Sequence, residues 1–286
     1  MKQLLILSGK GGTGKTTVAG AFIKLSNAKA FADCDVDAPN LHLIMERSDV
    51  PNKKDYFGLQ KAEINTELCI KCDNCRKNCR FDAIEYDEEY KVNPFACEGC
   101  GVCEAICPNA AITMNPSVAG DLMLYKNEIV FSTAQLKIGS GTSGKLVTEV
   151  KKQMKEFAYE EELAIIDGSP GIGCPVIASM SGVDMVLIVT EPSVSGISDL
   201  ERIINTAKIF GVKTAVCINK HDANASNTIK IIDYCKNNNI AFTGTIPYDP
   251  NVLRAVNLGE NIIDYDTVAG HSIKTVFDNT IKILFD

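Results

Sequence analysis

Residues 9–16 read GKGGTGKT, one residue after the apolar run Leu4-Leu5-Ile6-Leu7 and before a helix-forming stretch. No other feature of the chain limits its fold so tightly. The stretch satisfies G-x-x-x-x-G-K-[ST], whose glycines let successive backbone N–H groups curl around phosphate oxygens at the positive end of a helix. Gly11, Gly12, Thr13, Gly14, Lys15, Thr16 and Thr17 form the expected cradle for ATP or ADP. Lys15 reaches the outer phosphates and the Thr16 hydroxyl faces Mg2+.

The remaining chain alternates short apolar runs with amphipathic stretches, the pattern of a parallel sheet with crossover helices. Strands are expected at Leu4 to Ser8, Leu163 to Asp167, Met185 to Thr190 and Thr214 to Asn219. Each is continuously apolar, as strands covered on both faces are. Helices are expected at Thr16 to Leu25, Ser198 to Phe210 and Ser226 to Asn237. The fold class is therefore α/β, a doubly wound, mostly parallel sheet of the P-loop NTPase type. Between about residues 58 and 116 the rhythm breaks into cysteines, charges and turn formers, which reads as a small α+β domain inserted into residues 1–57 and 117–286. Residues 121–133 read as a hairpin turning at Lys126-Asn127 and returning the chain to the main sheet.

Composition narrows the function classes. A net charge of -7 argues against non-specific nucleic-acid binding, which needs a basic face. No run of 18 apolar residues is present, so a soluble, cytoplasmic protein without stable membrane association is expected. Residues 273–285 place Ile273, Val276, Phe277, Ile281 and Leu284 on one helical face flanked by Lys274 and Lys282, a pattern read as a helix docked on the core, with a membrane anchor as the alternative. His42, His221 and His271 are the three histidines, and they suggest no Ser-His-Asp or Cys-His set.

Eight of the twelve cysteines fall between Cys69 and Cys107. Cys69-x2-Cys72-x2-Cys75-x3-Cys79 is repeated, 28 residues on at every position, as Cys97-x2-Cys100-x2-Cys103-x3-Cys107. Ala83-Ile84 maps onto Ala111-Ile112 under the same offset, whereas Arg80 stands where the second run has Pro108. In a long chain without a signal peptide such thiols read as metal ligands rather than disulfides. Iron-sulfur and zinc both use C-x2-C pairs; three successive cysteines at that spacing with a downstream fourth favour iron-sulfur. Cys34, Cys174, Cys217 and Cys235 read most simply as buried or incidental thiols.

Lys10 and Lys15 together resemble the deviant phosphate loop, K-G-G-x-G-K-[ST], of the MinD/Mrp/ParA group of P-loop ATPases. Asp33-Cys34-Asp35 through Asn40-Leu41 resembles the group's D-x-D-x-x-x-x-N-L motif, and Ile165-Ile166-Asp167-Gly168-Ser169-Pro170-Gly171 its h-h-D-x-x-P-G motif. The resemblance implies that Asp35 orients the attacking water, that Asp167 holds Mg2+, and that Lys10 crosses a homodimer interface, formed with ATP bound, to the partner's phosphates. It also places Asn219 at the edge of adenine and Pro247 on its face. A second near-match, Gly139 to Leu146, lacks the magnesium hydroxyl and reads as a loop before a helix over Lys145 to Phe157, with contact to nucleotide or to the insert as the alternative.

The cysteine repeat resembles the bacterial two-cluster ferredoxin, in which the fourth cysteine of each run ligates the other cluster. That resemblance implies one [4Fe-4S] cluster on Cys69, Cys72, Cys75 and Cys107, and another on Cys97, Cys100, Cys103 and Cys79. The expected function is an ATPase whose nucleotide state gates electron transfer to an unknown redox partner protein. An ATP-dependent iron-sulfur carrier of the Mrp type is the alternative, although no C-terminal C-x-x-C pair is present. A MinD-like spatial regulator is a third reading, which would need a membrane-binding C-terminal helix.

Overall fold

The computed structural model describes residues 1–45 and 50–286. Along the chain its strands are β1 (Lys2–Ser8), β2 (Ala30–Asp33), β3 (Asn52–Phe57), β4 (Lys61–Ile64), β5 (Ile84–Asp87), β6 (Glu89–Val92), β7 (Ile112–Asn115), β8 (Val118–Lys126), β9 (Val130–Leu136), β10 (Leu163–Pro170), β11 (Met185–Thr190), β12 (Lys213–Asn219) and β13 (Ala241–Ile246). The helices are α1 (Lys15–Ser26), α2 (Asn74–Lys77), α3 (Val102–Ala105), α4 (Ser143–Phe157), α5 (Cys174–Met180), α6 (Val194–Ile209), α7 (Ala225–Asn237), α8 (Pro250–Leu258) and α9 (Val268–Phe285). The chain divides into two compact units: Met1–Lys53, Leu122–Gln135 and Gly144–Asp286 form the first, and Lys54–Asp121 with Leu136–Ser143 the second.

In the nine-stranded sheet the order is β13-β12-β11-β1-β10-β2-β9-β8-β3. β1 pairs parallel with β10 and with β11, and the parallel pairing continues through β2 to β9 on one side and through β12 to β13 on the other. The chain thus turns opposite ways on either side of β1, and ligands of such sheets bind at the carboxyl ends of the strands where the direction reverses. All six residues of β11 and six of the seven in β1 are buried, which is why these runs are apolar without alternation. β8 and β9 are neighbours joined by residues 127–129, a hairpin connection too short for a parallel crossover.

The core of this unit stacks Phe31 on Phe131 at 4.9 Å and sets Phe22 edge-on to Phe277 at 5.1 Å. α9 begins at Thr267, whose hydroxyl accepts the Gly270 N–H, and buries Ala269, Ile273, Val276 and Leu284. The expected apolar face is therefore covered by the unit's own core, in a helix that starts five residues earlier than the periodic pattern. Among the described residues no helix is long and apolar enough to cross a membrane.

The second unit is built twice from the 28-residue repeat. Adding 28 to β4 gives β6, to α2 gives α3 and to β5 gives β7. β4 pairs antiparallel with β7, and β6 with β5, so each two-stranded sheet takes one strand from each half-repeat. Backbone conformation repeats as well. Lys71, Asp73 and Asp82 have φ of 56, 67 and 49°, and their counterparts Gly99, Gly101 and Ala110 have 65, 74 and 48°. Residues 136–143 pack in the same unit, with Lys137 N–H donating to Ala119 O at 2.8 Å and the Tyr56 hydroxyl to Thr142 O at 3.4 Å.

Candidate functional site

The phosphate loop leaves β1 and enters α1 through Gly14, which takes φ of 89° as the helix N-cap and offers no side chain to the first-turn amides. Those N–H groups are left for an anion. Two glycines are required by close approach. A Cβ on Gly9 would lie 2.2 Å from Cβ of Asp199 in α6, and one on Gly14 would lie 2.3 Å from the Asn219 amide nitrogen. A space of about 640 Å³ opens over the loop, lined by residues 11–17 together with Asp35, Asn40, Pro170 and Val256.

Three acidic side chains converge on the loop lysine. Lys15 is buried, with Nζ 2.5 Å from Asp167 Oδ1 and 3.3 Å from the Thr16 hydroxyl. Burial alone would lower the Lys15 ammonium, but the carboxylates of Asp167, Asp33 and Asp35 outweigh it and hold its pKa above the ordinary lysine value. Asp167 Oδ2 is buried without a hydrogen-bond partner. An orphaned carboxylate oxygen of this kind, in the unit that also carries Thr16, suits a hard cation such as Mg2+.

Asp33 was not singled out among the expected site residues. Its Oδ1 accepts the Asp35 N–H at 2.9 Å, and its Oδ2 accepts those of Asn40 and Leu41 at 2.9 and 3.0 Å. The loop carrying Asp35 is therefore tied to the end of β2 by one buried carboxylate. Burial, and then the charge of Asp167, lift the Asp33 carboxyl to about 7 against the pull of Lys15. Burial likewise raises the Asp35 carboxyl above the usual carboxylate range, with Lys15 opposing. The D-x-D spacing with Asn-Leu beyond it was the signal: a strand-terminal Asp followed by a tight loop is positioned to cap that loop.

Lys10 is held within its own chain. Its ammonium pairs with the Glu191 carboxylate and reaches the Ser193 and Ser195 hydroxyls at 3.2 and 3.3 Å. Lys220 lies 3.6 Å from the other Glu191 oxygen and donates to Gly12 O at 3.0 Å. Partial burial would raise the Glu191 carboxyl, yet Lys10 and then Lys220 hold it below the usual range. Asn219 uses its amide on the loop itself, Nδ2 donating to Thr13 O at 2.7 Å and Oδ1 accepting the Lys220 N–H. Pro247 lies in the connection from β13 to α8, where the next N–H, of Tyr248, donates to Asp222 Oδ1 at 2.8 Å.

The eight repeat cysteines gather around two spaces. One, of about 350 Å³, is lined by Cys69, Cys72, Cys75 and Cys107. The other, of about 360 Å³, is lined by Cys97, Cys100, Cys103 and Cys79. The fourth sulfur in each set comes from the other run and accepts a backbone N–H: Ala111 to Cys107 at 3.2 Å and Ala83 to Cys79 at 3.4 Å. Among the described residues no group of three or more His, Cys, Asp or Glu is placed to hold a metal ion. Of the other cysteines, Cys34, Cys217 and Cys235 are buried and Cys174 is exposed at the start of α5.

Fold and loop geometry together define a P-loop nucleotide-binding protein of the doubly wound α/β class. Residues 4–262 match the CobQ/CobB/MinD/ParA nucleotide binding domain, and the chain belongs to that family, which carries the MinD/ParA ATPase fold. An uncharacterized protein of Methanocaldococcus jannaschii is 34% identical over 284 residues, covering 96% of this chain and 95% of its own. The iron-sulfur cluster carrier protein of Pyrococcus abyssi is 22% identical over 300 residues, covering 99% of this chain and 86% of its own. In fold, the chain is similar to the septum site-determining protein MinD of Pyrococcus horikoshii, solved with Mg-ADP, at a TM-score of 0.59 and 17% identity over 99% of this chain and 96% of that one.

Proposed function

We propose that this P-loop ATPase couples its nucleotide state to electron transfer through two [4Fe-4S] clusters held in a ferredoxin-like insert at residues 58–116. The observation that carries the reading is the partition of eight cysteines into two sets of four, each drawing its last thiol from the opposite half-repeat. Cys69, Cys72, Cys75 and Cys107 would hold one cluster, and Cys97, Cys100, Cys103 and Cys79 the other. Such clusters supply one-electron transfers at potentials set by charge, hydrogen bonds to sulfur and exposure. The amides of Ala83 and Ala111 are donors of that kind, already aimed at sulfur.

In the nucleotide unit, Lys15 leaves Asp167 for the outer phosphates. Asp167 Oδ2 and the Thr16 hydroxyl would hold Mg2+, and Asp35 orients the attacking water on the loop pinned by Asp33. Phosphoryl transfer needs just such positioned charge and no covalent intermediate. Lys10, freed from Glu191, reaches the phosphates of a second copy in an ATP-bound homodimer. Asn219 and Pro247 flank the base. A redox protein takes or supplies the electron.

Similarity to an iron-sulfur cluster carrier favours a second reading, delivery of a cluster to an acceptor. Iron and sulfide analysis of anaerobically purified protein separates the two. Eight irons that stay bound while Mg-ATP is turned over support electron transfer. Iron that moves to an apo-ferredoxin during turnover supports delivery, and no iron-sulfide content at all rejects both.

A further inference from the structure

The two half-repeats share a backbone but differ in what they show to solvent around their thiols. Residues 28 apart hold equivalent places, because the strands, helices and left-handed positions of one half recur in the other. Leu59, Phe81, Phe95 and Val102 are 42–72% exposed. Their counterparts are Asp87, Asn109, Glu67 and Asn74, all polar.

The four apolar side chains border one place. Phe81 and Val102 line the space of Cys97, Cys100, Cys103 and Cys79. Leu59 packs beside Gly99 of the same lining, its Cβ 3.1 Å from where a glycine Cβ would stand. Phe95 lies in the turn that ends at Cys97, whose N–H donates to Asn93 O at 3.0 Å. Cys100 of this set is itself exposed. The rim of the Cys69, Cys72, Cys75 and Cys107 set is built from paired polar groups instead. Arg76 holds Asp73 through two bonds of 2.7 Å, the Tyr90 hydroxyl donates to Asp73 at 2.8 Å, and Lys71 donates to Glu88 O at 3.0 Å. Ile70 is an exposed aliphatic side chain in that lining.

Covering hydrated charges costs their solvation, whereas covering exposed apolar surface is favourable, so the centres of protein interfaces are poor in charge and rich in aromatic residues. The rim at the Cys97 set therefore suits a protein partner better than its polar counterpart does. Four such side chains expose a few hundred Å², short of the about 800 Å² per partner of a stable complex and in the range of brief redox encounters. We propose that Leu59, Phe81, Phe95 and Val102 form the docking surface for a one-electron carrier protein, which exchanges its electron through the Cys97, Cys100, Cys103 and Cys79 site. One centre gains the electron that the other loses, with no bond made and no proton moved. The inference rests on the reading of the cysteines as two cluster sites and adds which of them meets the partner.

The test uses full-length protein purified anaerobically, with its iron and sulfide counted, and oxidised flavodoxin, a one-electron carrier, as the probe. Calorimetric titration should show saturable binding that changes by less than about threefold between low and high salt, because apolar contact is not screened. Phe95→Gln and Leu59→Asn, which line neither cysteine space, should each weaken binding by roughly fivefold, the worth of a half-exposed apolar side chain. Their iron content and EPR signals should match those of the unsubstituted protein, which excludes a damaged fold. Ile70→Asn at the other rim should leave binding within about twofold. Binding lost in Ile70→Asn and kept in Phe95→Gln, binding that falls steeply with salt, or no saturable binding overturns the proposal while the cluster sites stand. Protein that carries neither iron nor sulfide overturns the reading beneath it.

Discussion

The nucleotide unit gathers its site from residues as far as 208 positions apart, whereas the cysteine unit assembles two sites from runs offset by 28. The first rests on a core that needs nothing but side chains: fully buried Phe22, Phe31, Phe131 and the apolar strands around β1. The second has a core of Ala62, Cys75, Ala83, Ile84, Tyr90, Cys97 and Ile112, in which two of the seven members are themselves expected ligands. On the proposed reading, a domain with so little apolar volume would rely on its clusters for stability. Long-range assembly would then yield a scaffold that stands without its ligand, and short-range repetition one that its ligand completes.

That contrast is broken or sharpened by experiments of decreasing effect. Anaerobic iron chelation should abolish amide-exchange protection across residues 61–115 while β1, β10, β11 and β12 keep theirs; equal protection of both units after chelation would erase the distinction. Lys10→Ala should lower nucleotide hydrolysis by about 10³-fold, as loss of a transition-state cation does, and leave nucleotide affinity within about threefold. Steady-state hydrolysis and direct binding measured on the same sample separate the two, and surviving hydrolysis would confine Lys10 to its contacts with Glu191 and the serines.

Lys151 supplies a pH test confined to the nucleotide unit. Its ammonium donates to the carbonyls of Ala178, Ser179 and Ser181 at 3.3, 2.6 and 2.6 Å, closing the end of α5, and burial brings its pKa down from 10.5 to about 8. Between those values the unfolded chain retains a proton that the folded chain has released. The contribution of Lys151 to the stability of this unit should therefore climb as pH rises from about 8 to 10.5, by on the order of 3 kcal/mol. The buried thiols of Cys34, Cys217 and Cys235, pushed up to about 12, 12 and 11, act in the opposite sense, so the difference between the unsubstituted protein and Lys151→Met in denaturant titrations isolates the climb. A climb that persists in the variant would assign it elsewhere.

The smallest effect compares the two half-repeats. Lys71 holds a left-handed backbone where its counterpart is Gly99. Lys71→Gly should raise the melting temperature of the cysteine unit, reflecting a gain of about 0.5–1 kcal/mol, because relief of the left-handed penalty exceeds the entropy that glycine adds to the unfolded chain. A loss instead would show that the bond from Lys71 Nζ to Glu88 O outweighs the strain.

The same division explains what could be read from the residues alone. Continuous apolar runs marked β1, β10, β11 and β12, since strands covered on both faces have no other composition available. β2 is only Ala-Phe-Ala-Asp, too short to declare a period, and β13 mixes Thr and Gly with its apolar residues. β3, Asn-Lys-Lys-Asp-Tyr-Phe, is exposed at all but one position, the composition of an edge strand rather than a core one. Helix α6 starts four residues before the expected Ser198 because Ser193 caps it through the Gly196 N–H. At the site, Lys15, Thr16 and Asp167 belong to motifs with fixed spacing. Asp33 was signalled by its D-x-D spacing, whereas Glu191, Lys220 and Asp222 act on backbone amides, carbonyls or lysines that only the fold brings near, and no spacing in the chain announces them. Which cysteines line the same space follows the repeat, because it carries its own register.

The most direct measurement is an anaerobic redox titration of the cluster-loaded protein followed by EPR, with and without magnesium nucleotide. Coupling of the two units predicts two low-potential centres, within the roughly -700 to +450 mV that such clusters span, at least one of which shifts its midpoint when nucleotide binds. Two midpoints unchanged by nucleotide would contradict gating of electron transfer and leave the clusters as cargo or as a docking device.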